Sequence, residues 1–219
     1  MWASSQQLSE RSSPAFRFSA KEPLVEESLE RLSHRTLNFK NDSNLLSDFN
    51  LLVSSARGNE REANSELWYL IAELGDRSAE TSYTPVSGLT VAKTSLDPLR
   101  VIQNLRSTLK EKPWEFRYVL KVKPVQKVVP TEIEAIGKAV SERSGAIRDG
   151  ETFRVSIEKR RSNVSSKEVI DAIAAKIPRK VDLRDPAKVV LVEIIGTVAG
   201  IAVIPPNGIL GIEREKRTT

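Results

Sequence analysis

From residue 49 onward the chain alternates between two hydrophobic rhythms, and each rhythm predicts an element. Residues 49–53, Phe-Asn-Leu-Leu-Val, read as a buried strand. A helix follows: Asn59 stands at the cap, Glu62 three residues on completes a capping box, and Ala63, Leu67, Leu70, Ile71 and Leu74 recur at helical spacing before Gly75. Two short strands are predicted over 79–86 and 89–94, with Ser87-Gly88 as their turn. A second helix begins with Asp97 as cap and Pro98 in its first position, and Ile102, Leu105 and Leu109 form its apolar stripe. In 114–123, Trp114, Phe116, Tyr118, Leu120 and Val122 alternate with Glu115, Arg117, Val119, Lys121 and Lys123, the period-two pattern of a half-buried strand.

The order βαββαβ over residues 46–129 predicts a ferredoxin-like domain, two helices over one face of an antiparallel sheet. A second α/β module is expected over 130–206, giving an α+β fold overall. Thr131 and Glu134 suggest a capping box, with Ile133, Ile136 and Val140 as the helical stripe. A strand with Phe153, Val155 and Ile157 on one side runs directly into Lys159-Arg160-Arg161. Ser165 and Glu168 cap the next helix, carrying Val169, Ile170, Ile173 and Ile177. Two almost unbroken apolar strands, 189–195 and 198–204, meet at Gly196-Thr197. Residues 1–45 hold nine serines and little apolar periodicity, which predicts a mostly disordered tail with a weak helix over 23–32. Residues 207–219 read as a C-terminal tail whose Arg- and Lys-rich end, after Gly211, is frayed.

Charge changes the picture unevenly. The chain carries +5 overall, yet residues 1–109 hold 12 Lys and Arg against 14 Asp and Glu, and residues 110–219 hold 22 against 15. A basic second half fits a polyanion partner, and on charge alone it fits solvated surface lysines equally well. Strand periodicity puts Arg117, Lys121 and Lys123 on one side of their strand as a basic stripe, with Lys127 continuing it. Lys159, Arg160 and Arg161 form a second cluster just ahead of the helix opened by Ser165, Ser166 and Lys167, where loop cations and free helix N–H groups suit a phosphate. Each cluster taken alone also reads as a solvated edge.

Catalytic and metal chemistry find little material. Cysteine is absent and the single histidine, His34, falls in the expected tail, so no metal site and no catalytic residue is assigned. No phosphate-cradling glycine loop appears, and no cofactor is expected. The run 189–204 is broken by Glu193, Gly196 and Gly200, so no membrane segment is expected. Without a secretory signal the chain is expected in the cytoplasm, or in the nucleus or nucleolus of a eukaryote.

The wording FRVSIEKRRSNVSSKEVIDAIAAKI followed by VDLRDPAKVVLVEIIGTVAGIAVI resembles a THUMP domain. Upstream, FNLLVSSARGNEREANSELWYLIAELGD, VSGLTVAKTSLDP and KPWEFRYVLKVKPVQKVV are similar to the ferredoxin-like domain that precedes THUMP in archaeal and eukaryotic relatives of the tRNA acetylation adaptor. The resemblance implies tRNA binding at the acceptor region. By carry-over, RNA contacts fall on Arg154, Lys159, Arg160, Arg161 and Lys167, with Lys180, Arg184 and Lys188 in support. Because the chain ends soon after Ile204, the reading it suggests is a non-catalytic adaptor presenting tRNA to a separate cytidine acetyltransferase. Two rivals stand beside it: a stand-alone tRNA-modifying enzyme, and a protein-interaction module with incidental RNA binding.

Overall fold

The computed structural model describes residues 45–218, so the expected tail over 1–45 and its weak helix lie, but for Leu45, outside the described residues. The rhythms of the sequence become β1 (Leu51–Ser55), α1 (Glu60–Glu73), β2 (Glu80–Tyr83), β3 (Leu89–Lys93), α2 (Pro98–Glu111) and β4 (Val119–Pro124). They continue as β5 (Lys127–Pro130), α3 (Ile133–Ser141), β6 (Phe153–Arg160), α4 (Ser166–Ala174), β7 (Lys188–Ile195), β8 (Val198–Ile204), β9 (Leu210–Gly211) and α5 (Ile212–Lys216). The described residues thus form a mixed α+β fold of two sheets and five helices.

The first sheet runs in the order β2-β3-β1-β4-β9, antiparallel throughout. α1 and α2 cover one face, where Leu67, Leu70, Ile71, Ile102 and Leu105 pack on Leu51, Val53, Ala92 and Val122. Along β1 the next residue, Leu52, points the other way, toward Phe49, Leu89, Val91, Val125 and Ile195. β1 is therefore apolar on both sides because both sides are covered.

The second sheet, β5-β8-β7-β6, combines antiparallel pairs with one parallel pair, β6 with β7, bridged by the α4 crossover. α3 and α4 cover one face through Ile136, Val140, Val169 and Ile173, packed on Val190, Val192, Ile194 and Ile201. The opposite face carries Val189, Leu191, Ala202 and Ile204, joined by Leu99 and Ile209, and further along it Ile195 meets the first sheet.

Several expectations change. The strand expected over 114–123 begins only at Val119, after a tight turn over Pro113–Glu115, because the Glu66 carboxylate accepts the backbone N–H of Arg117, Tyr118 and Val119 at 2.9–3.0 Å and bends the chain. β5 was not anticipated. Two expected capping boxes are absent: Asn59 stands at the cap of α1 but makes no side-chain cap bond, and at α3 Glu132, not Thr131, occupies the cap position, again without a side-chain bond, while the buried Thr131 hydroxyl has no hydrogen-bond partner. The end expected to fray instead returns as β9 and α5, with Leu210 and Ile212 buried against the first module.

Candidate nucleic-acid interface

Two groups of cations flank β6. At its carboxyl end the chain leaves the sheet through Arg161, whose φ of 54° makes it the one described non-glycine residue in the left-handed region. The loop that follows is held at several points. Lys159 Nζ donates to the Val164 carbonyl at 2.9 Å, and Ser165 Oγ accepts the Glu168 N–H at 3.3 Å to cap α4. Lys159, Arg161 and Lys167 are exposed here, beside the amino end of a nine-residue helix. Lys167 pairs with Asp171 at 2.7 Å across one helical turn; this hydrogen bond, then the charge, raises the ammonium pKa. Both groups are open to water, so a phosphate competes for that lysine at little cost.

At the amino end of β6, Phe153 N–H donates to the Lys180 carbonyl, Asp182 N–H donates to the Phe153 carbonyl, and Lys188 lies in register with Phe153. These bonds gather Arg154, Lys180 and Arg184, all exposed, with the half-buried Lys188. Asp182 turns inward on its own loop, accepting the N–H groups of Asp185 and Arg184, and these bonds lower its pKa in that order. Seven residue steps separate Phe153 from Arg160, so the two groups stand about 23 Å apart along one strand.

The expected stripe on β4 does not form. β4 shifts register between Ser54 and Ser55, which leaves Leu120 as an extra residue and reverses the alternation. Arg117 precedes the strand, exposed, with its Nε donating to the Trp114 carbonyl at 3.3 Å, while Lys121 is half-buried on the far side of the bulge. Lys123 is corrected outright. At 2% exposure it presents no charge to a partner and is held at the junction of the two sheets.

What Lys123 meets there was not anticipated. Its Nζ donates to Glu193 Oε1 at 2.6 Å and to Glu158 Oε1 at 2.7 Å, while Arg160 reaches the remaining oxygens, Glu158 Oε2 at 2.6 Å and Glu193 Oε2 at 3.1 Å. Four side chains close a ring of alternating charge. Burial pushes the Glu193 carboxyl up against the downward pull of Lys123; burial works the same way on Glu158, but its bonds to Lys123 and Arg160 bring it below the usual value. A signal for the ring was present in the sequence, since a lone acid inside an apolar strand demands a cationic partner. Arg160 therefore sits among carboxylates, whereas Lys159 and Arg161 stand outside.

An open cleft of about 780 Å³ runs between the modules, lined by Lys93 and Arg143 against Asp97 and Glu142. Among the described residues no cluster of His, Asp or Glu suits a metal ion, and no helix is long and apolar enough to cross a membrane.

The THUMP domain family matches residues 130–204. No curated protein matches the chain. Among solved structures, PH1313 from Pyrococcus horikoshii Ot3 is similar at 15% identity and a TM-score of 0.51, covering 72% of this chain and 55% of that one. A predicted N6-adenine-specific DNA methylase from Listeria monocytogenes is similar at 17% identity and a TM-score of 0.46, covering 72% and 40%. A 4-thiouridine synthetase solved with RNA and ATP is similar at 15% identity and a TM-score of 0.42, covering 72% and 42%. The chain thus spans about half the length of the solved structures it resembles, or less. Two of these structures bear the names of modifying enzymes, a methylase and a 4-thiouridine synthetase, and neither is an adaptor for an acetyltransferase; the expectation of a non-catalytic adaptor, and with it that of no enzyme, is set aside. Taken with the two-sheet architecture, the family match identifies residues 130–204 as a THUMP domain.

Proposed function

We propose that this chain binds tRNA, at its acceptor region, as the RNA-recognising part of a tRNA-modifying enzyme. The observation that carries the reading is the exposed set Lys159, Arg161 and Lys167 around the start of α4, inside the THUMP domain. Free backbone N–H groups at a helix start and mobile cations beside them are the parts that hold a phosphate. Arg154, Lys180 and Arg184 form a second contact, about 23 Å away along β6, for the same backbone. The first module, with its β2-β3-β1-β4 order and both helices on one face, supports a ferredoxin-like reading of that region.

Binding of a tRNA transcript measured across salt concentrations tests this directly. Affinity is expected to fall linearly in log salt, and Arg161→Ala with Lys167→Ala is expected to reduce the slope by about two and weaken binding about tenfold or more. No tRNA binding at low ionic strength, or a slope untouched by the double substitution, refutes the reading. The enzymatic side is checked separately by nucleoside mass spectrometry of tRNA from cells lacking the chain, where one modified nucleoside is expected to disappear.

A further inference from the structure

The ring of Lys123, Glu158, Arg160 and Glu193 joins the first sheet to the last residue before the basic loop. Lys123 comes from β4, Glu193 from the middle of β7, and Glu158 and Arg160 from one face of β6. Two members, Lys123 at 2% and Glu193 at 0% exposure, are ions removed from water. Apolar side chains fill such a junction at no electrostatic cost, so a buried ionic ring is poorly explained by stability alone.

Its place in the chain supplies another explanation. Arg160 is held at both ends, its guanidinium by the two carboxylates and its carbonyl by the Gly196 N–H at 2.9 Å in the β7–β8 hairpin. The next residue is Arg161, in the left-handed conformation that turns the loop away from the sheet. That conformation costs an L side chain energy and persists only where its surroundings enforce it.

We propose that Lys123 and Glu193 are positioning residues of the RNA-binding loop: they clamp Arg160, which fixes Arg161 and the segment to Lys167 for phosphate, while Arg160 itself touches no RNA. The proposal rests on the RNA-binding reading, and it divides the run Lys159-Arg160-Arg161 into two contacts and one anchor. It also makes the geometry of the THUMP domain loop depend on a lysine of the preceding module.

The test uses Lys123→Met with Glu193→Gln, which removes one cation and one anion and leaves Arg160 and Glu158 balanced. In the absence of RNA, amide exchange across 161–167 is expected to accelerate about tenfold in the folded variant. tRNA affinity is expected to fall about three- to tenfold with the salt slope unchanged, because no phosphate contact is removed. Arg160→Met is expected to lower affinity in the same way, also at constant slope. Should the buried double variant fail to fold, Arg160→Met with Glu158→Gln opens the half-exposed side of the ring and gives the same exchange measurement. Unchanged loop exchange in a folded variant overturns the proposal, as does a slope reduced by about one in Arg160→Met, the mark of a direct phosphate contact. The exchange measurement needs no RNA, so it succeeds or fails independently of tRNA binding by the unaltered chain.

Discussion

Asp76 shows how much one side chain fixes in the first module. It is 4% exposed, and its two oxygens accept four bonds: Ser78 N–H at 3.0 Å and Ser78 Oγ at 2.6 Å on one, Thr94 Oγ1 at 2.5 Å and Ser95 N–H at 2.7 Å on the other. It thereby ties the end of α1 to the segment between β3 and α2. The Ser78 hydroxyl first, and then that of Thr94, hold its carboxyl well below the usual carboxylate range. A folded-state value below the unfolded one means the stabilisation is fully present above the unfolded value, about 4, and is lost as pH falls toward the folded value. Asp76→Asn is expected to cost about 2–3 kcal/mol at neutral pH and to flatten the loss of stability below about pH 4, as read by urea unfolding over a pH series. Residue identity announced less at the β4 cations. Alternation put Arg117, Lys121 and Lys123 on one face, but the bulge at Leu120 arises from the long-range register with β1, which no local pattern encodes.

At the scale of elements, legibility followed local self-sufficiency. α2 and α4 carry their own caps, Asp97 accepting the Arg100 N–H and Ser165 accepting that of Glu168, and both were readable. β5 was not, because its four residues, Lys127 to Pro130, are too short a run between Pro124 and the next helix to show a period, and become a strand only by pairing with β8. The meeting of the sheets was equally hidden, although it depends on one glycine. A Cβ on Gly200 of β8 stands 3.1 Å from the Val125 methyls and 3.3 Å from the Phe49 ring, so these side chains must give way to any side chain there, and further for a larger one. Gly200→Val is expected to destabilise the fold by about 2 kcal/mol, measured by chemical unfolding, and to leave the far face of the second sheet, under α3 and α4, undisturbed in chemical-shift mapping.

At the scale of the whole molecule, the described part of the chain crosses between its modules twice. It leaves the first sheet after β4, builds the second from β5 to β8, and then returns, so that β9 pairs Gly211 with Lys121 and Leu210 with Val122. Leu210 and Ile212 join the first module's core, Lys216 Nζ donates to the Phe116 carbonyl at 2.9 Å, and Glu215 meets Arg106 of α2 at 2.7 Å. A basic terminus looked frayed in the sequence because its two apolar anchors are too few to register as a period. Their burial depends on a sheet edge made about ninety residues earlier. Removing residues 207–219 exposes that edge and empties two buried positions, each worth about 2 kcal/mol or more. The truncated chain is expected to unfold at lower urea with a broken, non-coincident transition: the near-ultraviolet signal, carried by Trp68, Trp114 and the tyrosines of the first module, is lost before the far-ultraviolet signal that both modules share. A single transition at the unaltered midpoint contradicts this, and with it the dependence of the first module on the end of the chain.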